Sequence, residues 1–523
     1  MVRLGICMTA GVVSLFIAAT IIISPAQSFD TIATFDGSNG AFPQGVTLVQ
    51  GPNGSLYGAT SEGGTGCNYL GLECGTIFET TTDGQLKTVY SFSGSDGEYP
   101  ISGLVLGTDG NFYGVTSEGG AKSCALSDYG CGTIFKITPN GALTTLYNFC
   151  SQAGCADGGQ PLALLQASDG AFYGATYLGG ANCLDQFGSP CGTVFKFSAA
   201  GGLTTLYSFC KENGCTDGAG PAGLVQGRDG NFYGTTSSYG ATGFSQGTVF
   251  KITSDGALST LYSFCSQAGC PDGEKPAAGL IQASGGEFYG TTSGGGSNAG
   301  TGHGGGTIFS ITTLGKLTTL YNFCSRQVIG PQLNHGEVRC IDGSFPTNVL
   351  LQGSDGNLYG TTSTGGGNGC GGVVGCGTIF KVTPQGALTT LLSFDGGANG
   401  ISPQNGLVQA TSGSFYGLTV IGGDSTCGVL DSSCGTTFSL NAGLGPFVAF
   451  IRGYGKVGQT VGILGQGFTG TAEVSFNGTP AKFTVVSGAF IEATVPAGAS
   501  SGYVKVATPD GTLKSNVAFR VIQ

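Results

Sequence analysis

Short apolar runs separated by turn residues recur along most of the chain, and the stretch Gly103–Phe149 shows the unit whole. Its runs read GLVLG, NFYGVTS, TIFKIT and ALTTLYNF, with Thr-Asp-Gly between the first two and Pro-Asn-Gly between the last two. Asp-Gly and Asn-Gly accept the positive φ that tight hairpins require. Each unit therefore reads as a four-stranded antiparallel meander, with no helical period interrupting it.

The unit repeats. The Tyr-Gly of its second run falls at Tyr57, Tyr113, Tyr173, Tyr233, Tyr289, Tyr359 and Tyr416. The Gly-Thr-x-Phe of its third run ends at Phe78, Phe135, Phe195, Phe250, Phe309, Phe380 and Phe438. A period of this length means a solenoid, an array or a propeller. The fourth run decides among them. It ends at Phe92, Phe149, Phe209, Phe264, Phe323 and Phe394, and none follows Phe438; the missing copy is Thr31-Ile-Ala-Thr-Phe35, far upstream. A chain that starts with a lone fourth strand and ends on a unit lacking one can complete its last sheet by joining its two ends, which removes the open sheet edge. The prediction is an all-β fold: a seven-bladed β-propeller of four-stranded blades over residues 29–440, closed by the N-terminal strand.

The pattern GLVxGxDGNFYGTTSxGGxxxxGTIFKITPxGxLTTLYSF stands at Gly223–Phe264 with small departures. It resembles the GloVer repeats, named from Gloeobacter and Verrucomicrobia, over about residues 31–440; the resemblance implies an exported bacterial protein and carries no activity. The order of turns is similar, more loosely, to that of NHL-type and streptogramin-lyase-type propellers, in which the run before the Asp-Gly turn is innermost.

After Leu440 the period stops. Residues 441–445 read as a linker, and 446–523 as a second domain of about seven alternating strands with hairpins at Asn477-Gly478 and Asp510-Gly511, hence a β-sandwich. Gly465-Gln-Gly-Phe468, Val474-Ser-Phe-Asn-Gly478 and Thr494-Val-Pro-Ala-Gly498 make it resemble the IPT/TIG immunoglobulin-like domain, which implies a spacer or interaction module.

Charge narrows the partners. Thirty acidic against nineteen basic residues give a net charge of −11, with no basic run or stripe, so neither nucleic acid nor an anionic lipid surface is expected as a partner. Residues 1–28 read as a signal peptide: Arg3, an apolar Leu4–Ile23 run, then the small residues Ala26-Gln-Ser28. The competing reading of that run is an uncleaved anchor. Cleavage would leave no membrane span. The expected location is secreted or at the cell surface, as a monomer; no wall-sorting motif follows, so surface attachment is expected to be non-covalent or through an uncleaved N-terminus.

Apart from Cys7, the cysteines form nine local couples: Cys67 with Cys74, Cys124 with Cys131, Cys150 with Cys155, Cys183 with Cys191, Cys210 with Cys215, Cys265 with Cys270, Cys324 with Cys340, Cys370 with Cys376, and Cys427 with Cys434. In an exported chain these read as disulfides that pin loops. Zinc spacing does not match, and only His303 and His335 are present. Alternating strand direction puts all nine couples on one face, together with the loops between blades; the Asp-Gly and Pro-x-Gly turns occupy the other.

Each loop between blades carries Asp or Asn, then Gly, with Pro three residues further on: Asn39, Asp96, Asp157, Asp217, Asp272, Asp342 and Asn399. Five carboxylates around a channel entrance could hold Ca²⁺. Asp or Asn before Gly also shapes a turn through its own hydrogen bonds, and a feature present in every blade favours that structural reading; no cofactor is otherwise expected. Catalysis needs a unique constellation, which points to the irregular loops: His335 and Glu337 in the Cys324–Cys340 insertion, and His303 in the Gly-rich loop of the fifth blade. That Gly-rich loop lacks the Gly-Lys-Ser/Thr ending of a phosphate loop. The strand tyrosines fit packing between blades better than a sugar platform. The chain thus reads as a non-catalytic binding or scaffolding protein for an extracellular polysaccharide or protein, the alternative being an extracellular polymer-degrading lyase or hydrolase that uses the stapled face.

Overall fold

The computed structural model describes residues 27–522 except 67–73, 121–123, 125, 128, 184–190, 199–201, 242, 244–245, 298–303, 330–337, 368–374 and 424–433. His303, His335, Glu337, Cys67, Cys370, Cys427 and the expected signal segment to residue 26 lie outside the described residues. The fold is all-β; among the described residues seven four-stranded antiparallel sheets lie in the repeat region and fit a propeller-like fold.

In the second sheet the strands are Val105–Leu106, Phe112–Thr116, Thr133–Ile137 and Leu143–Asn148, in that order from inner to outer. In the seventh they are Val408–Gln409, Phe415–Thr419 and Thr436–Asn441, and the outer position is filled by Ser28–Thr34, antiparallel to Thr436–Asn441 with Ser28 opposite Asn441 and Thr34 opposite Thr436.

Successive sheets are joined by one set of contacts used repeatedly. The outer-strand Phe of one sheet meets the Gly-Thr-x-Phe ring of the next, from Phe92 on Phe135 at 5.3 Å to Phe394 on Phe438 at 5.6 Å. Phe35, fully buried, makes the same contact with Phe78 of the first sheet at 5.1 Å. Strand tyrosines stack across the same junctions, for example Tyr173 on Phe232 at 4.1 Å. The sequence expectation that these rings pack between blades matches that geometry.

A glutamine latch adds to it. Gln166, Gln226, Gln282, Gln352 and Gln409 each accept a hydrogen bond from a turn N–H of the preceding sheet, and Gln50 accepts one from Thr411 of the seventh sheet at 3.0 Å. The junction between the first and second sheets is the exception. There the donor position is Pro52, which has no N–H, and the acceptor position is Leu106.

The residue before each loop proline takes a positive φ: Phe42 49°, Tyr99 55°, Gln160 52°, Gly220 62°, Lys275 55°, Phe345 56° and Ser402 56°. That region is costly for residues other than glycine and persists where surroundings over-determine it. Here they do. The N–H at this position reaches a carbonyl of the neighbouring sheet, as Phe42 does to Cys434 and Gln160 to Cys131. The proline itself packs on the glycine of the neighbour's Gly-Thr. A Cβ on Gly435 would lie 2.9 Å from Pro43 Cδ and 2.4 Å from the Thr419 carbonyl oxygen, so only glycine fits.

Inner strands vary more than the repeat suggests. They run eight residues in the third and fourth sheets, Gly159–Gln166 and Ala219–Gln226, but two elsewhere. Between the loop proline and the strand leucine those two sheets have two residues, whereas the others have three or four. The extra residue breaks the ladder, leaving isolated bridges such as Glu98 to Glu118.

The C-terminal region packs two sheets. One orders Ala449–Phe450, Thr460–Leu464, Phe490–Thr494 and Phe483–Ser487; the other orders Thr479–Pro480, Glu473–Phe476, Val504–Thr508 and Gly511–Lys514. Val461, Ile463, Phe476, Ile491 and Val504 fill the space between them. The Asn477-Gly478 hairpin is present, with φ of 46° and 87°. The second turn is centred on Pro509-Asp510 and not on Asp510-Gly511, because Gly511 already pairs with Thr508.

Burial and its acidic neighbour raise the Tyr90 hydroxyl to about 12, and Tyr57 and Tyr321 rise to about 12 mainly by burial. In the unfolded chain tyrosine titrates near 10. The folded state therefore holds these protons more tightly, so the stabilisation is complete below about pH 10 and is lost as pH climbs towards 12. Urea midpoints are expected to fall across that window; a flat profile would contradict the packing of these hydroxyls.

Candidate functional site

Six disulfides are described: Cys124–Cys131, Cys150–Cys155, Cys183–Cys191, Cys210–Cys215, Cys265–Cys270 and Cys324–Cys340. Cys74, Cys376 and Cys434 are also disulfide-bonded. The six described pairs follow the local scheme, and their rings sit at the ends of second strands or in loops between sheets, so one face is stapled.

The five loop aspartates do not line the central cavity. Each accepts a hydrogen bond from a tyrosine of the preceding outer strand: Tyr90 to Asp96, Tyr147 to Asp157, Tyr207 to Asp217, Tyr262 to Asp272 and Tyr321 to Asp342. Asp157 and Asp342 are fully buried. Asp342 Oδ2 also accepts from Ser325 N at 3.0 Å and Ser325 Oγ at 2.8 Å, and Oδ1 from Arg326 N at 3.3 Å. These carboxylates tie a loop to a strand. Where the loop carries Asn, at Asn39 and Asn399, the tyrosine position holds Ala33 and Leu392. Asp and Tyr thus occur together and disappear together, a pairing visible in the sequence once the two positions are aligned.

Paired threonines form a second recurrent tie that no run of the repeat singles out. In every sheet the last Thr of the second strand and the first of the third share a buried hydrogen bond, as Thr176 and Thr193 do at 2.9 Å. Their signal was the invariant Thr of each Gly-Thr-x-Phe run within this chain.

What the sheets do bring together is a cavity of about 640 Å³. Every sheet contributes: Gln44, Ile101, Leu162, Leu224, Ala277, Val349 and Gly406 come from the first to the seventh in order. Space is limited by backbone contact. A Cβ on Gly223 would lie 2.6 Å from Gly279 Cα, so the inner strands of the fourth and fifth sheets meet main chain to main chain. Glu118 and Tyr99 mark the stapled-face end, where Tyr99 Oη donates to Glu62 Oε1 at 2.6 Å and Ser117 Oγ to the Tyr99 carbonyl at 3.0 Å.

The opposite end carries the Asp-Gly turns and meets the C-terminal sandwich. Ser487 Oγ donates to the Pro52 carbonyl at 3.1 Å, and Phe447 N to that of Thr411 at 3.0 Å. Leu106 belongs to the same buried cluster as Leu464, with Ile451 and Phe490 packed against it. On the far side Arg520 Nη1 donates to the Arg228 carbonyl at 2.6 Å, and burial, with a lesser push from Asp169, raises the Tyr454 hydroxyl.

The Gloeobacter/Verrucomicrobia repeat profile matches residues 18–215, 124–335 and 189–430, three overlapping stretches that cover most of the chain. The chain belongs to this repeat family. An IPT/TIG domain matches residues 450–521. No curated protein matches the chain. Among solved structures, a fungal alcohol oxidase of the AA5 family in complex with copper is similar at 13% identity and a TM-score of 0.48, over 95% of this chain and 99% of that one. PorZ, a surface component of the type-IX secretion system of Porphyromonas gingivalis, is similar at 13% identity and 0.44, over 94% of this chain and 60% of that one. A gluconolactonase from Xanthomonas campestris follows at 14% identity and 0.36, over 66% and 88%. No chemistry is carried from these structures.

Proposed function

We propose that the protein is an exported binding module of the bacterial cell surface or extracellular space, whose ligand enters the central cavity from the stapled face. In this reading residues 29–440 form one closed seven-bladed propeller, sealed by Ser28–Thr34, with residues 446–523 as an attached IPT/TIG module and residues 1–28 as the signal peptide. The cavity lined by all seven sheets carries the proposal: aliphatic side chains such as Ile101, Leu162, Leu224 and Val349 share its walls with main chain and with polar ones such as Gln44, Ser102, Gln160 and Asn348, a composition suited to holding a ligand. Disulfide rings in the loops between sheets support an oxidising, extracytoplasmic location. Among the described residues no helix is long and apolar enough to cross a membrane.

The test is an array of extracellular glycans and peptides incubated with residues 29–523. Retention of a ligand without turnover, abolished by Leu224→Arg in a folded protein, is expected. Release of a chemically altered product would overturn the reading.

A further inference from the structure

We propose a second binding site, for an uncharged saccharide, in the seam where the C-terminal sandwich meets the first and seventh sheets. It is separate from the central cavity, with which it shares no lining residue.

Contacts on both sheets frame the seam. Ser487 Oγ donates to the Pro52 carbonyl, Phe447 N donates to that of Thr411, and a Cβ on Gly54 would lie 3.3 Å from Ala489 Cβ. Between them is a pocket of about 440 Å³. The Gln50 latch lines it with its polar atoms already used: Oε1 accepts from Thr411 N at 3.0 Å, and Nε2 donates to Thr411 Oγ1 at 3.3 Å and to the Gly54 carbonyl at 3.2 Å. Gly465, Gln466 and Ala489 are the sandwich's share of the lining.

That lining carries no charged side chain, which departs from the repeat. In other sheets the turn aspartate before the tyrosine strand pairs with a lysine of the third strand, as Asp109 does with Lys136 at 2.9 Å and Asp169 with Lys196 at 2.8 Å. In the seventh sheet both positions hold serine, Ser412 and Ser439, and in the first Asn53 stands for the aspartate. Glu79, at the first sheet's lysine position, accepts from Asn53 Nδ2 at 2.8 Å and does not line the pocket. An ionic ligand would lose hydration here and find no counter-charge, so an uncharged one is favoured.

A surface made only to seat the sandwich would be apolar, as it is where Leu106 shares a cluster with Leu464 and Phe490. In the pocket, polar groups face open space instead. Ser55 is only 8% exposed, and its hydroxyl makes no hydrogen bond among the described residues. A hydroxyl so buried and unpaired is costly unless a molecule in the pocket bonds it. Thr82 Oγ1, Ser414 Oγ and the Gln466 amide are likewise unbonded among the described residues. Hydroxyls and primary amides both donate and accept, which matches the hydroxyls of a sugar. A peptide would gain mainly by burying side chains in apolar recesses. The lining offers it the methyl groups of Ala410 and Ala489 and the edge of Tyr416, itself 5% exposed.

The test is calorimetric titration of the mature chain, residues 29–523, with maltohexaose, cellohexaose, xylohexaose and mannohexaose. Hexagalacturonate and the peptide Gly-Ser-Asn-Gly-Ser-Asn are the comparators. At least one neutral sugar is expected to bind, and Gln466→Ala and Ser55→Ala should each weaken it about tenfold, the loss of one well-placed hydrogen bond. Gln466 is exposed, so its variant folds and keeps the test decisive. Ser55→Ala should not lower the melting temperature, because its hydroxyl has no protein partner to lose; a clear fall overturns its assignment to a ligand. Hexagalacturonate binding as tightly as the sugars, or the peptide binding and weakened by the same two variants, overturns the saccharide assignment. Sugar binding that both variants leave unchanged and Leu224→Arg abolishes belongs to the central cavity; the seam site then falls while the reading above stands. If none of the four sugars binds, the pocket holds water only and the seam site falls.

Discussion

Deleting residues 29–36 is expected to abolish cooperative folding of the repeat region. The deletion strips the Thr436–Asn441 strand of its outer partner and removes Phe35, which is fully buried against Phe78. Truncating a buried Phe to Ala alone costs about 3–5 kcal/mol. A domain holds about 5–15 kcal/mol in total. Loss of the whole strand, with its ladder hydrogen bonds, therefore exceeds or nearly exhausts the reserve, and an exposed edge is left to aggregate. Phe35→Ala should leave a folded protein with its urea midpoint lowered by that smaller amount. A synthetic peptide of residues 27–36 should restore the melting transition of the deleted chain, because strand addition supplies the missing partner. A deleted chain that melts as the intact one does would refute closure through the N-terminus.

Much of this architecture could be read from residue positions alone. The tally of outer-strand phenylalanines, six downstream of their sheets and one at Phe35, already implied the pairing that joins Ser28 to Asn441. The cysteine spacing implied local rings, and the described pairs follow it. What could not be read was set by contacts between units. Nothing within one repeat says that Phe42, Tyr99 or Gln160 must take a positive φ, because the carbonyl each reaches belongs to the neighbouring sheet. The position of the sandwich was equally hidden. A five-residue stretch, Asn441–Gly445, reads as a spacer, yet Pro52 and Leu106 look like random departures until Ser487 and Leu464 are placed over them. Strand order places the loop aspartates on the stapled face and so suggests a ring around the channel; that order fixes height along the axis and not radius. Their tyrosine partners stand on the outermost strands, at the far edge from the cavity.

Asp342→Ala is expected to be among the most damaging single substitutions outside the apolar core. Asp342 is fully buried and accepts from Tyr321 Oη, Ser325 N, Ser325 Oγ and Arg326 N. Alanine removes the shared acceptor; Tyr321 Oη and Ser325 Oγ keep their bond to each other at 2.7 Å, and Ser325 and Arg326 are exposed, so the unfolding free energy from urea titration should fall by about 1–3 kcal/mol. Tyr321→Phe removes one donor and leaves the acceptor served by three others; a loss of about 1 kcal/mol is expected. The double variant should cost clearly less than the two singles together, because both remove the same bond. In the seventh sheet's entry loop Asn399 stands for the aspartate and Leu392 for the tyrosine, so the fold tolerates an apolar residue at that position where the carboxylate is absent too. Millimolar Ca²⁺, the weak end of extracellular calcium modules, should leave the melting temperature of the intact protein unchanged, since Asp342 oxygens already have protein donors. A clear rise in melting temperature with Ca²⁺, lost in Asp342→Ala, would make these loops cation sites and not ties between loop and strand.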